Sequence, residues 1–162
     1  MADLSLTQTI HAPLERVFQL ATDLPRAAEH ISGVDRIELL TDGPIGAGTR
    51  WRETRTMMGR QATEELEITA FDPPRGYTAE CDSCGCHFVS TFAMAEVEGG
   101  TEVRLTLATT AQSMVAKLMS PLSALTMGAA KKAIEQDLID LKQAAEAAPV
   151  GGSAAPSTQA GV

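Results

Sequence analysis

The sequence is poor in several kinds of residue, and each shortage excludes a class of structure or function. Aromatic residues make up only 4% of the 162 residues, and there are only three cysteines. A small, odd number of cysteines argues against a disulfide framework. Basic residues number 13 against 21 acidic ones, which gives a net charge of −8. Because nucleic acids are bound through a basic footprint, this balance excludes a nucleic-acid partner.

Long apolar runs are also missing. No stretch approaches the roughly 20 apolar residues that a membrane span requires, so we expect no membrane insertion. Residues 1–17 do not combine a basic segment with an apolar one, which predicts that no secretory signal is present. We therefore expect a cytoplasmic protein, in which the thiols stay reduced. We expect the protein to be a monomer or a weak dimer.

The length and composition fit one folded domain with a tail. Hydrophobic residues make up 44% of the chain, enough for one core without a stabilising metal. We predict a domain over residues 1–147. Residues 148–162 are rich in Gly, Ala, Ser and Pro and have no bulky apolar periodicity, which predicts a disordered tail.

Periodicity indicates a strand followed by two short helical segments at the start of the chain. Residues 3–10 alternate between apolar and polar, as in a half-buried strand. Residues 14–21 place apolar side chains at helical spacing, which predicts a short amphipathic helix after Pro13. Pro25 ends that helix, and a second helical turn is expected over 25–30.

The middle of the chain reads as a meander of six further strands. The predicted strands are Val34–Leu40, Thr49–Met57, Arg60–Phe71, Tyr77–Cys81, His87–Val97 and a segment around Val103, Leu105 and Leu107. Glycine-containing turns separate them, including Gly99-Gly100. Short connections of this kind predict antiparallel neighbours.

Apolar residues at helical spacing then predict one long helix over 113–147, capped by Ser113. Pro121 lies inside this pattern, so we expect a bend or a separate first segment there. The predicted fold class is α+β, with a seven-stranded antiparallel sheet curled around the long helix. Space left between a curved sheet and a straight helix would hold a ligand.

Four segments also carry a resemblance to a known family. They are IHAPLERVFQLATD (10–23), GAGTRWRETRTMMGR (46–60), FDPPR (71–75) and DLIDLK (137–142). In this order they resemble the START-like, or SRPBCC, superfamily, in its polyketide cyclase/dehydrase-like branch, over about residues 3–147. The resemblance implies a helix-grip fold with two small helices closing one end. It also implies a cavity for lipids, sterols, polyketides or other hydrophobic molecules, and some members are aromatase/cyclases.

The strand Thr49–Met57 offers the clearest candidate site. One face carries Trp51, Glu53, Arg55 and Met57, and the opposite face has no apolar member. The face with Trp51 should therefore point inward and bring Glu53 and Arg55 to the cavity. A buried carboxylate and guanidinium are costly unless paired. They predict either a polar anchor for a ligand head group or a structural ion pair at the mouth of the sheet.

Neighbouring elements supply the rest of the predicted ligand-binding set. Glu64 shares a face with Leu66 and is expected to join the network, pair with Arg55 or lie at a solvated strand end. A methionine-rich helix face suits an adaptable pocket wall as well as an ordinary core. The remaining candidates are Cys81, Phe88, Phe92, Leu105, Met114, Leu118 and Leu122.

Cys81, Cys84 and Cys86 precede His87, a grouping that has three interpretations. Zinc binding, a reversible disulfide between the first two cysteines, and three ordinary thiols all fit the spacing. Cys86 and His87 point to opposite faces of a strand, and no second ligand pair occurs elsewhere in the sequence. We therefore predict ordinary thiols, no metal and no cofactor.

Two functions follow from these patterns. The first is a module that binds a small hydrophobic, lipid- or polyketide-like molecule between the sheet and the C-terminal helix. The second is a cyclase or dehydratase in which Glu53 is the acid or base and Arg55 stabilises an enolate. The binding module is the interpretation we prefer, since the apolar lining holds few titratable groups that point inward.

Overall fold

The computed structural model describes the backbone of residues 2–115 and 120–147, and the side chains of 3–115 and 127–147. The predicted tail and Leu118 lie outside the described residues, as does the side chain of Leu122. The strands are β1 (Ala2–Ile10), β2 (Val34–Leu39), β3 (Arg50–Met57), β4 (Arg60–Asp72), β5 (Gly76–Ser83), β6 (Cys86–Val97) and β7 (Gly100–Ala111). The helices are α1 (Leu14–Thr22), a 3₁₀ turn (Leu24–Arg26), α2 (Ala27–His30) and α3 (Ser120–Glu146).

All neighbouring strands are antiparallel, and they form one sheet in the order β1-β7-β6-β5-β4-β3-β2. Only the pairing of β1 with β7 departs from a simple meander, and the α1–α2 segment makes that departure possible. The sheet, the two short helices and the long helix α3 confirm the predicted α+β class and helix-grip architecture.

The long helix α3 is described from Ser120 to Glu146, and residues 114 and 115 are helical as well. Both segments lie within the predicted helix of 113–147. Residues 116–119, which would show whether a bend or a separate first segment precedes Pro121, lie outside the described residues. That part of the prediction stays a prediction.

The core lies under the C-terminal half of α3. Leu138, Leu141 and Ala145 share one helix face and are 3–4% exposed. The concave face of the sheet meets them with Trp51, Ile68 and other alternating residues of each strand. Because strand side chains alternate between faces, the same alternation that buries one row leaves the other row in water.

The two ends of this sheet-and-helix layer differ. At the closed end, the last turn of α3 is tied down, since Glu146 Oε1 accepts a 2.8 Å hydrogen bond from the backbone N–H of His11. Arg16 Nε donates a 2.7 Å bond to the carbonyl oxygen of Ala145. At the open end lie the hairpin turns that follow β3 and β5 and the residues that follow β7. The backbone N–H of Gln112 donates to the carbonyl oxygen of Gly85 at 2.8 Å and joins the last two of these.

No helix within the part of the chain that the structure describes is long and apolar enough to cross a membrane.

Candidate functional site

A pocket of about 630 Å³ lies at the open end, between β3, the segment after α2 and the middle of α3. Its described lining residues are Ser32, Gly33, Arg55, Thr56, Met57, Met58, Gly128, Ala129, Lys132, Ala133, Gln136 and Asp137. The helix contributes mainly small or polar residues here, which is why the sheet and the helix leave space between them. The wall is apolar near the hairpin after β3 and polar near Arg55.

Arg55 connects β3 to α3 at the polar end of the pocket. Its Nη1 and Nη2 atoms donate to Asp137 Oδ1 and Oδ2 at 3.1 and 2.8 Å, a bidentate pair. Its Nε donates to Glu53 Oε1, two residues earlier on the same face of β3. The other oxygen of Glu53 accepts a 3.1 Å bond from the Trp51 indole N–H. One guanidinium therefore holds two carboxylates, and each carboxylate fixes the orientation of the guanidinium.

These three side chains are largely withdrawn from solvent, since Glu53, Arg55 and Asp137 are only 14%, 25% and 20% exposed. Burial opposes the positive charge of Arg55, but Glu53 and Asp137 outweigh that cost and raise the pKa of Arg55. Burial also raises the pKa of Asp137, although its pair with Arg55 works in the opposite direction. Two carboxylates sharing one cation leave an excess negative charge, so the rise at Asp137 is the expected direction.

Gly33 allows the pocket to reach this cluster. A Cβ atom built on Gly33 would stand 3.4 Å from Arg55 Nη1 and 3.7 Å from Asp137 Oδ1. Any larger residue would cover part of the guanidinium. Next to it, the backbone N–H and the hydroxyl of Ser32 donate to Asp140 Oδ2 at 2.8 and 2.6 Å, which ties this segment to α3.

Polar groups continue across the concave face from the cluster toward β7. Glu64 lies opposite Glu53 in the register of β3 and β4. The Cys81 thiol donates to Glu64 Oε2 at 3.9 Å. Burial and the neighbouring carboxylates raise the pKa of Cys81 to about 12, so the group is a neutral thiol. The hydroxyl of Thr109 is buried without a hydrogen-bond partner in the described structure.

The structure gathers part of the predicted ligand-binding set at the pocket and disperses the rest. Arg55 and Met57 line it, and Glu53 lies directly behind Arg55. Trp51 is 3% exposed and belongs to the core, to which it adds the hydrogen bond that orients Glu53. Leu105 is also a core residue, at 4% exposed.

The other predicted residues lie farther along the sheet or outside it. Leu66 and Phe92 pack against the core, and Phe92 stacks on Tyr77 with ring centroids 4.6 Å apart. Phe88 lies opposite Cys81 in the sheet and is half-buried. Met114 is 75% exposed and is not among the lining residues. The Leu118 and Leu122 side chains fall outside the described residues.

The cysteine segment is a hairpin in which all three thiols are free. His87 lies on the outer face, where its Nε2 is 2.9 Å from Glu80 Oε2 and its Nδ1 is 2.7 Å from Asp82 Oδ1. Within residues 2–115 and 120–147, no group of three or more His, Cys, Asp or Glu side chains is arranged to hold a metal ion.

Sequence reasoning missed the helix side of the site. Asp137 completes the cluster but is not among the predicted site residues, although it opens the DLIDLK segment that carries the family resemblance. The signal was present, because Asp137 lies on the same helical stripe as Ile134, Leu138 and Leu141, where a carboxylate is out of place. Gly33, Met58 and Ala133 carried no comparable signal.

The sequence matches the family described as "Polyketide cyclase / dehydrase and lipid transport" over residues 1–146. No curated protein matches significantly.

Three solved structures illustrate the fold similarity. TTHA0849 from Thermus thermophilus has 24% identity and a TM-score of 0.71, with 90% of this chain and 100% of that chain covered. The Zhui aromatase/cyclase from Streptomyces sp. R1128 has 19% identity and a TM-score of 0.70, with 90% and 93% covered. The di-domain ARO/CYC BexL from the BE-7585A biosynthetic pathway has 19% identity and a TM-score of 0.73, with 91% and 51% covered. At these identities the similarity establishes the fold.

Proposed function

Since the chain belongs to the polyketide cyclase / dehydrase and lipid transport family, we propose that it binds one small, largely apolar molecule at the open end of the sheet. The observation that carries this proposal is the pocket of about 630 Å³ with one polar end and one apolar wall. That volume falls within the roughly 300–1,000 Å³ of small-molecule sites. The ligand's polar group lies at Arg55, and its apolar part lies against Met57 and the small residues of α3.

Arg55 suits the role of a fixed anchor. Its pairs with Glu53 and Asp137 hold the guanidinium in place while leaving part of its donor fork unused. Because Gly33 has no side chain, that unused part stays accessible from the pocket. A ligand carbonyl or hydroxyl oxygen accepts a hydrogen bond there, in a partly desolvated setting where the bond is stronger than in water.

The small residues of α3 provide the apolar space. Ala129 and Ala133 are one turn apart on the helix and both line the pocket. With leucines at such positions the helix would fill the gap, as it does farther along at Leu141. A ligand replaces those missing side chains and gains the corresponding burial of apolar surface.

A second candidate function is cyclase or dehydratase chemistry, favoured by the two aromatase/cyclases that share this fold. In that case Glu53 acts on a proton and Arg55 stabilises the developing oxyanion. Both oxygens of Glu53 are already engaged, by Arg55 and Trp51, which suits a fixed acceptor better than a proton carrier. Unchanged turnover of a polyketide-like substrate by Glu53→Gln would remove this mechanism.

The binding proposal is tested with prodan, a neutral naphthalene ketone whose fluorescence shifts in apolar surroundings. We expect saturable binding to the wild-type protein. Ala133→Leu places a larger side chain in the pocket without breaking α3 and weakens binding at least about tenfold, or 1.4 kcal/mol. Ala130→Leu, on the same helix but not on the pocket lining, is the matched control and leaves binding unchanged.

Gly33→Ala gives a second test, at the polar end. The added Cβ stands close to Arg55 Nη1, so prodan affinity falls although no charge is removed. If the wild-type protein does not bind prodan saturably, or if both alanine-to-leucine variants bind it equally well, this pocket is not the site.

A further inference from the structure

The hairpin between β3 and β4 has an unusual residue at its tip. Met57 pairs with Arg60, so the loop consists of Met58 and Gly59 alone. Both have positive φ, at 52° and 75°, as in a type I′ turn. The first position of that turn favours Asn, Asp or Gly, because a larger side chain in the left-handed region is sterically strained. Methionine is therefore a poor choice for the turn itself.

The same residue is also poorly placed for burial. Met58 is 79% exposed and Met57 is 37% exposed, and both line the pocket. An apolar side chain that is strained in its backbone and exposed to water gains nothing from the fold around it. Strained positions of this kind are a reason to look for a functional contact.

The hairpin between β5 and β6 provides an internal comparison. Its loop is Cys84-Gly85, again with two positive φ values, 51° and 74°. It lies at the same end of the sheet, and Cys84 is exposed as well. Cys84, however, is not among the residues that line the pocket. The turn geometry is thus common to both hairpins, and the position beside the pocket belongs to the methionines.

Across the mouth of the pocket, α3 presents Gly128 and Ala129. A Cβ atom added to Gly128 would meet nothing within 4 Å. The space beside Gly128 is therefore open, and the same pocket is lined by Met57 and Met58 of the hairpin. Unbranched thioether side chains adapt to apolar partners of different shape.

We propose that Met57 and Met58 form an apolar lip that holds the outer part of a bound ligand against Gly128 and Ala129. This inference rests on the proposed function and specifies the ligand class. The ligand is amphipathic, with one hydrogen-bonding group at Arg55 and an apolar chain or ring system long enough to leave the pocket between lip and helix. A bound ligand then buries Met58, which is 79% exposed in the free protein, and covers the exposed part of Met57.

The test uses two probes that differ only in length, prodan with a propionyl chain and laurdan with a lauroyl chain. Met58→Asn suits the type I′ turn and raises the melting temperature, yet it weakens laurdan binding at least fivefold and prodan binding less than twofold. Cys84→Asn, the matched control, raises the melting temperature in the same way and leaves both affinities unchanged. Met58→Leu, which keeps the apolar contact, retains laurdan binding.

The outcomes separate the two proposals. If the wild-type protein binds neither probe, the proposed function fails and the lip fails with it. If prodan binds but Met58→Asn and Cys84→Asn leave laurdan affinity equal to wild type, the lip proposal alone is overturned. The lip proposal is also overturned if Met58→Asn reduces partitioning of the protein onto phospholipid vesicles but leaves laurdan affinity unchanged. In that case Met58 contacts a membrane surface and not the ligand.

Discussion

The two halves of α3 cover the same sheet in different ways. The C-terminal half presents Leu138, Leu141 and Ala145 to a filled core. The part of α3 that precedes Leu138 presents Ala129, Ala133 and Asp137 to a pocket of about 630 Å³. Interiors pack at nearly constant density, so a run of small residues on one half of a helix leaves either a void or a binding site. In this protein one part of the helix stabilises the fold by packing on the sheet, and the other part lines the pocket.

The charged groups follow the same division. On the outer face of β3, Arg52 donates hydrogen bonds to Glu38 and Glu65, and these ion pairs are exposed to solvent. On the inner face, Arg55 forms ion pairs with Glu53 and Asp137, and solvent is mostly excluded from these three side chains. Exposed ion pairs contribute little to stability, whereas removing one partner of a buried pair leaves an uncompensated charge.

The largest expected effect tests the filled half. Leu141→Ala creates a cavity in the core and lowers the free energy of unfolding by about 3 kcal/mol. Ile139 lies on the outer side of the same helix and its side chain is 40% exposed. Ile139→Ala therefore lowers the free energy of unfolding by less than about 1 kcal/mol. Urea unfolding followed by circular dichroism measures both. Equal effects would mean that the C-terminal half of α3 is not packed against the sheet.

The next effect tests the buried cluster. Arg55→Met leaves Glu53 and Asp137 without their cation, and we expect a loss of about 2 kcal/mol at pH 8. A carboxyl group whose pKa is higher in the folded than in the unfolded state binds more protons when folded. Its contribution to stability is therefore lost as the pH rises above the ordinary aspartate value of about 3.9.

The pKa of Asp137 is already raised by burial in the wild-type protein, and loss of Arg55 raises it further. The difference in unfolding free energy between Arg55→Met and wild type should thus shrink from pH 8 to pH 5. Arg52→Met, which breaks the exposed pairs on the outer face, leaves stability nearly unchanged at both pH values. A pH-independent penalty for Arg55→Met would contradict burial of the carboxylates.

The smallest expected effect is a difference in reactivity between two thiols, which is measured without any change in the stability of the protein. Cys81 faces the polar row of the concave surface with its pKa raised to about 12, whereas Cys84 is exposed at a hairpin tip. Since the thiolate is the nucleophile, iodoacetamide at pH 8 should alkylate Cys84 at least about ten times faster than Cys81. Mass spectrometry of timed samples gives the two rates, and equal rates would place Cys81 in water.

Some parts of the site were predictable because they depend on local period alone. Alternation along β3 separates Trp51 and Arg55 from Arg52, and one apolar residue suffices to tell which face points inward. The C-terminal half of α3 was predictable in the same way, because Leu138, Leu141 and Ala145 follow the helical period and meet the core. The position of Pro121 alone does not decide between a bend and a separate first segment.

A space between sheet and helix was predictable, but the position and the lining of the pocket were not. Its walls come from segments that are distant in sequence, such as Gly33 and Asp137, and nothing local indicates that they meet. Glycine and alanine produce no periodic signal, so the space they leave becomes visible only when the opposite wall is known. Met58 lies in the segment 46–60 that carries the family resemblance, but its exposure and its positive φ are properties of the folded hairpin.

The sequence by itself determined the order of the elements, the inward face of each strand and the pairing of short-range neighbours, because these depend on the two- and 3.6-residue periods of the backbone. Only the tertiary structure decided where the helix touches the sheet and where it stands away from it. That distance is set by the summed volumes of side chains that converge from many segments, and no single stretch of sequence contains it.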